Sequence, residues 1–166
     1  IDFKLTLNAS VFDTENRSSS VGNSFYGYNT SLGGSVSISH YRTYTLNFQQ
    51  LLNYNKTIDA HSLSVLLGHE YYKFVQTTLT GAKRNMFSYF GNHELAGAIE
   101  KNDMNSYDSR SNTEGYFFRV QYDYDTKYFL SGSFRRDGSS KFHPDHRWGN
   151  FWSLGGAWII YKENWY

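Results

Sequence analysis

The chain has 166 residues, of which 19% are aromatic, and it contains one proline and no cysteine. This composition is typical of β-rich proteins and excludes disulfide scaffolds and thiolate metal sites. A formal net charge of +1 at pH 7 gives no electrostatic case for nucleic acid as a partner. The longest apolar run, residues 157–161, is too short for a transmembrane helix. Membrane β-strands are not excluded, because only every second residue of such a strand must be apolar.

Alternation of apolar and polar residues predicts the strands, because successive side chains of a strand point to opposite faces. Seven strands are predicted, and the second has the weakest alternation. In chain order they cover residues 3–11, 32–39, 44–54, 63–71, 116–124, 128–134 and 152–160. The pair Gly33-Gly34 indicates a bend or bulge in the second strand. The third and fourth strands form a hairpin, and Asp125-Thr126 can form a tight turn after the fifth.

The connections between the predicted strands alternate in length. Residues 56–61 and 125–126 are short connections, whereas 77–113 and 137–150 are predicted as long polar loops. A further polar stretch, rich in serine and glycine, covers 14–28. All short connections therefore fall at one end of the strands and all long ones at the other. This arrangement is typical of outer-membrane β-barrels, and a soluble antiparallel sandwich or barrel is the alternative.

The chain also carries several short motifs in a fixed order. Residues 128–142 read YFLSGSFRRDGSSKF and are followed by RWGNFWS and GAW, while NYNKT, HSL and ENW stand at 53–57, 61–63 and 163–165. Together these motifs resemble the SusC/RagA family of TonB-linked outer-membrane nutrient transporters. The chain departs from the family pattern at Trp152, where proline is usual, and at 58–60, where Ile-Asp-Ala replaces Phe-Gly-Lys.

The resemblance implies a fold and a function. The fold would be all-β, with antiparallel transmembrane strands forming an arc of a larger barrel, short periplasmic turns and long extracellular loops. The protein would lie in the lipid of a Gram-negative outer membrane and import oligosaccharides or peptides. Its partners would be a SusD-like surface lipoprotein acting as a lid, and TonB on the periplasmic side, and no cofactor is implied. Residues 1–166 would be a fragment of the β-barrel domain, with the plug domain outside this chain.

Two alternatives are open from the sequence. A complete eight-stranded outer-membrane barrel has about this length, although the polar residues 162–164 argue against a closing last strand. A soluble, aromatic-rich β-sandwich that binds glycans would show the same alternation. Detergent dependence would distinguish the soluble alternative.

The sharpest local motif is the arginine-rich segment after the sixth predicted strand. Its members are Arg135, Arg136, Asp137, Gly138, Ser139, Ser140 and Phe142. Asp-Gly followed by two serines supplies the backbone freedom and side-chain capping that a turn at a barrel rim requires. We expect a structural role for this motif, with direct contact between an arginine and a ligand as the alternative.

A second candidate site lies in the long predicted loop 77–113. Phe87, Tyr89, Phe90 and His93 can stack on sugar faces, pack on a partner protein or hold the loop together. We expect this loop to be extracellular and to contact the lid lipoprotein or the ligand.

The clearest strand, 116–124, also predicts which residues face the membrane. Its parity places Phe118 and Val120 toward lipid and Arg119 and Gln121 toward the lumen. At the short-turn end, an aromatic girdle is predicted from Tyr122, Tyr124 and Tyr128.

Neither catalysis nor metal binding is expected. His143 and His146 lack an assignable third ligand. Asp123 and Asp125 flank a turn without a nucleophile or base beside them.

Overall fold

The computed structural model describes residues 1–87, 92–163 and 165, which form one six-stranded sheet. The strands are β1 (Asp2–Gly22), β2 (Ser35–Ile58), β3 (His61–Met86), β4 (Ala98–Tyr124), β5 (Tyr128–Ser139) and β6 (Trp148–Trp158). Each strand pairs with its neighbours in sequence. Short 3-10 turns lie at Tyr28–Leu32, Leu95–Gly97, Pro144–His146 and Ile160–Lys162. The all-β, antiparallel prediction is confirmed, and no helix in the described ranges is long and apolar enough to cross a membrane.

The prediction of seven strands is wrong, because segments 32–39 and 44–54 belong mainly to one continuous strand, β2. The first part of β2 lacks an apolar period, yet its polar side chains pair with those of β1. Arg42 Nε donates to Asp13 at 2.9 Å, and His40 Nε2 lies 2.5 Å from Glu15 Oε1. Such cross-strand pairs stabilise a strand that is polar on both faces, and hydropathy alternation cannot reveal it.

The predicted loop 77–113 is also wrong for most of its length. β3 continues to Met86 and β4 begins at Ala98, so the connection covers only 87–97. In the same way, β1 extends through most of the polar stretch 14–28, to Gly22. The connection between β5 and β6 shortens to 140–147.

The predicted segregation of connection lengths is nevertheless confirmed. Residues 59–60 and 125–127 make the short turns at one end of the strands, while 23–34, 87–97 and 140–147 connect them at the other. At the second short turn, Asp125 and Thr126 both adopt left-handed backbone conformations, with φ of 53° and 51°. Two consecutive positive φ values are typical of type I′ hairpin turns, so the predicted tight turn is confirmed.

The chain divides into two compact units. Unit 2 comprises residues 12–45 and 74–110. Its buried cluster consists of Val36, Met86 and Ala98, with Leu95 packed against it. Gly33 and Gly34 adopt φ values of 62° and 83°, so the chain bends there as predicted, although the bend precedes β2 and does not lie within a strand.

Ion pairs on the surface of unit 2 tie β1 to the β3–β4 connection and to β2. Arg17 donates to both carboxylate oxygens of Glu94, at 2.6 and 2.7 Å. The pKa of the Asp13 carboxyl is lowered, chiefly because Arg42 donates hydrogen bonds to its charged form.

Unit 1 comprises residues 1–11, 46–73 and 111–166, and its sheet has two chemically different faces. On one face, Phe118 pairs with Phe134 and Val120 with Gly132, and the row continues to Trp152 and Leu154 on β6. Trp152 and Leu154 are 79% and 75% exposed, so no part of the chain that the structure describes covers this apolar face there. An uncovered apolar face of this kind suits lipid contact.

The opposite face of unit 1 is polar. Arg119 pairs with Ser133 and Gln121 with Ser131, and the Ser133 hydroxyl forms a hydrogen bond with that of Ser153 on β6 at 2.7 Å. The register therefore confirms that Phe118 and Val120 share one face and that Arg119 and Gln121 share the other.

Gly68 in β3 provides a test of packing on the polar face. A Cβ at Gly68 would overlap the ring of Phe117, whereas a Cβ at Gly132 would meet Leu154 Cδ1 at an ordinary 3.8 Å. We expect Gly68→Ala to lower the free energy of unfolding of the full-length protein by about 1–3 kcal/mol. Gly132→Ala should be neutral or slightly stabilising.

Urea unfolding in lipid vesicles measures both effects. Combining Gly68→Ala with Phe117→Leu should restore most of the lost stability. Equal effects of Gly68→Ala and Gly132→Ala would show that the ring does not lie over Gly68.

Candidate functional site

A continuous row of hydrogen-bonded polar side chains crosses unit 1. Asn8 on β1 donates to Gln49 on β2 at 3.0 Å, and Gln49 donates to Glu70 on β3 at 2.6 Å. Arg135 on β5 donates to the other oxygen of Glu70 at 3.0 Å and to Asp137 at 2.7 Å. We call Asn8, Gln49, Glu70, Arg135 and Asp137 the polar row. Its single cation stands between its two carboxylates, so each charge in the row has a partner.

Arg135 reaches Glu70 only by passing over β4, which lies between their strands. Gly115 of β4 is the register partner of Asp137. A Cβ at Gly115 would lie 2.6 Å from Asp137 Oδ1 and 3.2 Å from Arg135 Nη2. Glycine at this position therefore provides the space for the bridge. The Phe117 ring, centred 5.4 Å from Arg135 Cζ, adds a cation–π contact.

A pocket of about 840 Å³ lies against the polar row. Its remaining walls include Tyr72, Phe142, His146 and Phe151. Phe142 and Phe151 are 62% and 59% exposed, so their ring faces are open to a ligand. The volume lies in the range of small-molecule sites, and rings combined with a few polar groups are the lining that such sites use.

Five residues of the arginine-rich motif line this pocket, and the other two lie elsewhere. Its members that line the pocket are Arg135, Asp137, Gly138, Ser139 and Phe142. Ser140 instead anchors the β5–β6 connection, since its amide donates to Asn112 O at 2.9 Å and its Oγ accepts from Asn112 N at 2.8 Å. Arg136 lies on the opposite, apolar face, because its register partner is Tyr116. These contacts support a structural role, but the predicted turn at Asp137-Gly138 is wrong, because both residues lie within β5 and Gly138 pairs with Glu114 and Trp148. Contact with a ligand stays a prediction.

The aromatic residues of the predicted loop are only partly described. Phe87 is 64% exposed and His93 is exposed as well. Tyr89 and Phe90 lie outside the described residues. Across the described ranges, no three His, Asp or Glu side chains are placed to hold a metal ion. His143 contacts the Asp145 carboxylate at 3.4 Å.

The short-turn end of the apolar face carries a band of stacked rings. Tyr124 and Tyr128 stack at 6.1 Å, and Tyr128 and Trp158 stack at 6.2 Å. His61 joins them, 4.8 Å from Tyr124 and within hydrogen-bond distance of the Tyr122 hydroxyl. Alternation in the sequence predicted the tyrosines but not His61. His61 joins the band only because its turn lies beside the turn that follows Tyr124, and this proximity cannot be seen in the sequence.

A second band, which sequence analysis missed, lies at the other end of the same face. Tyr116 stacks on His69 at 4.7 Å and lies 6.2 Å from Trp148. Tyr116 and Tyr124 are eight residues apart on β4. A tilted strand needs about 9–11 residues to cross the hydrocarbon core, and the span from Tyr116 to Tyr124, with both tyrosines included, is at the lower end of that range.

Three features of these strands are typical of transmembrane β-barrels. They are an uncovered apolar face between two aromatic bands, a hydrogen-bonded polar face, and short turns at one end.

No family model matches the chain. TonB-dependent receptor P3 of Formosa agariphila is 31% identical over 134 residues, which are 80% of this chain and 13% of that receptor. TonB-dependent receptor SusC of Bacteroides thetaiotaomicron is 30% identical over 145 residues, which are 87% of this chain and 13% of that receptor.

The solved RagAB peptide transporter superposes with a TM-score of 0.86 over 98% of this chain and 18% of that chain, at 24% sequence identity. This likeness shows that the six-stranded sheet has the fold of a segment of that structure. The chain belongs to the SusC/RagA type of TonB-dependent receptor. It spans about one eighth of the length of the curated relatives it matches.

Proposed function

We propose that residues 1–166 are part of the β-barrel domain of an outer-membrane receptor that imports nutrients with energy delivered through TonB. The observation that carries this proposal is the contrast between the two faces of unit 1. The apolar face exposes Trp152 and Leu154, as a lipid-facing surface does. The polar row occupies the other face, where an aqueous lumen would hydrate it. The plug domain and the segment that engages TonB would lie in other parts of the receptor.

The pocket beside the polar row indicates which ligands the lumen wall suits. Arg135 is balanced by Glu70 and Asp137, so the row offers little uncompensated charge. Phe142 and Phe151 offer ring faces, and Asn47 and Tyr72 line the same pocket with polar atoms. Stacking combined with neutral hydrogen bonds suits oligosaccharides or peptides better than small ions. We propose that such a ligand contacts this wall during import.

A paired aromatic substitution tests the proposed pocket. We expect Phe142→Ala with Phe151→Ala to weaken ligand binding by about tenfold, equivalent to about 1.4 kcal/mol, because both stacking faces are removed. Phe134→Ala is the matched control, since Phe134 lies on the apolar face. The assay measures binding and cellular uptake of fluorescent oligosaccharides and peptides by the full-length receptor, with and without a proton uncoupler.

Heat-modifiable migration in electrophoresis confirms that each variant is inserted as a barrel. Uncoupler-sensitive uptake of one ligand class supports the proposed function and identifies that class. Equal losses in the pocket variant and the control would remove this wall from the ligand path. Transport of neither class would contradict the proposed function itself.

We also propose that the β3–β4 connection contacts a SusD-like lid lipoprotein or the incoming ligand. Phe87 and His93 are exposed there. Deletion of the whole connection is a poor test, because Leu95 packs against the buried cluster of unit 2. Phe87→Ser with His93→Ser is the better variant, and we expect it to reduce co-purification of the lipoprotein. If co-purification and uptake are both undiminished, these two side chains contact neither the lipoprotein nor the ligand in a way that matters for import.

A further inference from the structure

Arg136 carries a positive charge on the apolar face of unit 1. The register pairs it with Tyr116 on β4 and with Asn150 on β6. The next row on this face, toward the short turns, is Phe118, Phe134 and Trp152. Arg136 therefore stands one row beyond the apolar band, at the end away from the short periplasmic turns. With the proposed outer-membrane topology, this row would lie at the outer-leaflet boundary of the membrane.

Acidic side chains around Arg136 do not neutralise it. Within the described ranges, Arg136 forms no ion pair, and its guanidinium carbon lies 5.2 Å from the Trp148 ring. Glu114, on β4 near this band, accepts from the Tyr116 hydroxyl at 2.6 Å and pairs with His69 at 3.1 Å. That carboxylate is therefore engaged with other groups. The charge of the adjacent Arg135 is compensated, because Arg135 forms ion pairs with two carboxylates on the other face.

A second cation stands on the same side of the sheet. Lys73 lies four residues beyond His69 on β3, and the strand period therefore gives it the same face. In the part of the chain that the structure describes, Lys73 forms no ion pair. Two cations beyond an apolar band complement an anionic membrane surface, and long basic side chains extend toward headgroups from such positions.

We propose that Arg136, held by Trp148, binds a phosphate group of an anionic outer-leaflet lipid, with Lys73 adding to the positive field. The guanidinium fork suits phosphate oxygens, and stacking on Trp148 fixes one side of the group and leaves its donors available. Tyr116 and Trp148 supply the amphipathic rings that favour the headgroup region. This lipid site goes beyond the proposed import function, which uses the opposite face.

Lipid titration of the purified full-length receptor tests the site. The probe is diphosphoryl lipid A added to the delipidated receptor in neutral detergent, with native mass spectrometry counting the bound lipids. We expect Arg136→Gln to weaken the tightest lipid A binding by about fivefold to tenfold. Arg136→Lys should retain most of the affinity. Arg119→Gln is the matched control, because it removes the same charge from the polar face of the neighbouring strand.

Three further comparisons decide the outcome. Dephosphorylated lipid A should bind the wild type and Arg136→Gln equally, and millimolar inorganic phosphate should not displace bound lipid A. Uptake should be unchanged in Arg136→Gln, so failure of the lipid site is distinguishable from failure of the import function. Unaltered lipid A affinity in Arg136→Gln, or an equal loss in Arg119→Gln, would overturn the proposal. Displacement by free phosphate would assign the site to a soluble anion and overturn the lipid assignment.

Discussion

Val120→Arg in the full-length receptor is expected to lower the free energy of unfolding by about 2–4 kcal/mol, because it places a charge in the middle of the apolar face. Val120 lies midway between Tyr116 and Tyr124, so an arginine there is far from either headgroup region. Its side chain would have to extend along neighbouring apolar groups to reach water. Urea unfolding in phosphatidylcholine vesicles measures the change.

Gln121→Arg is the control for this substitution, because it adds the same side chain at the next residue of β4. Gln121 and its register partner Ser131 lie on the polar face, where an arginine head can be hydrated. We expect a change within about 0.5 kcal/mol. The reverse result, a silent Val120→Arg and a costly Gln121→Arg, would exchange the two faces.

The isolated chain 1–166 is expected not to refold into a monodisperse, detergent-solubilised monomer. β1 and β6 each have only one neighbour in the sheet described here. Their outer edges carry backbone N–H and C=O groups that hydrocarbon cannot satisfy, at a cost of several kcal/mol for each unsatisfied group. Refolding in detergent followed by size-exclusion chromatography should give aggregates or multimers. The full-length receptor, refolded in parallel, should give a heat-modifiable band.

A protease-resistant, heat-modifiable monomer of 1–166 would contradict this expectation. It would support the alternative of a complete small barrel, in which the two edges meet. A monodisperse monomer without detergent would instead support a soluble sandwich.

The sequence predicts the part of the fold in which the two faces of a strand meet different surroundings. In β4, Phe118 and Val120 alternate with Arg119 and Gln121, because one set lies on the uncovered apolar face and the other on the polar face. The tight turn at 125–126 is predictable for a different reason: aspartate tolerates positive φ better than most residues. The parts of β1 to β4 that belong to unit 2 lack such a contrast. Segments of unit 2 are polar on both faces, so no hydropathy period marks them.

The polar row shows why the candidate site could be predicted only in part. The motif around Arg135 is visible in the sequence. Asp137, two residues further along the same strand, is the kind of partner that a structural arginine needs. The bridge to Glu70 is not visible, because those residues are 65 positions apart and on non-adjacent strands. The bridge also requires glycine at position 115, because a Cβ there would crowd Asp137 and Arg135. A glycine in a strand indicates a close approach, but the approaching group can be identified only from the register.

Spin labels placed one at a time at residues 118–121 of the full-length receptor in vesicles test the two-faced wall most directly. If the apolar face contacts lipid, labels at Phe118 and Val120 should collide mainly with dissolved oxygen, which concentrates in lipid. Labels at Arg119 and Gln121 should collide mainly with a water-soluble nickel complex. Mobility of the labels and uptake by each variant show that the barrel is intact. Equal access of both reagents at all four positions, or the opposite alternation, would contradict the account.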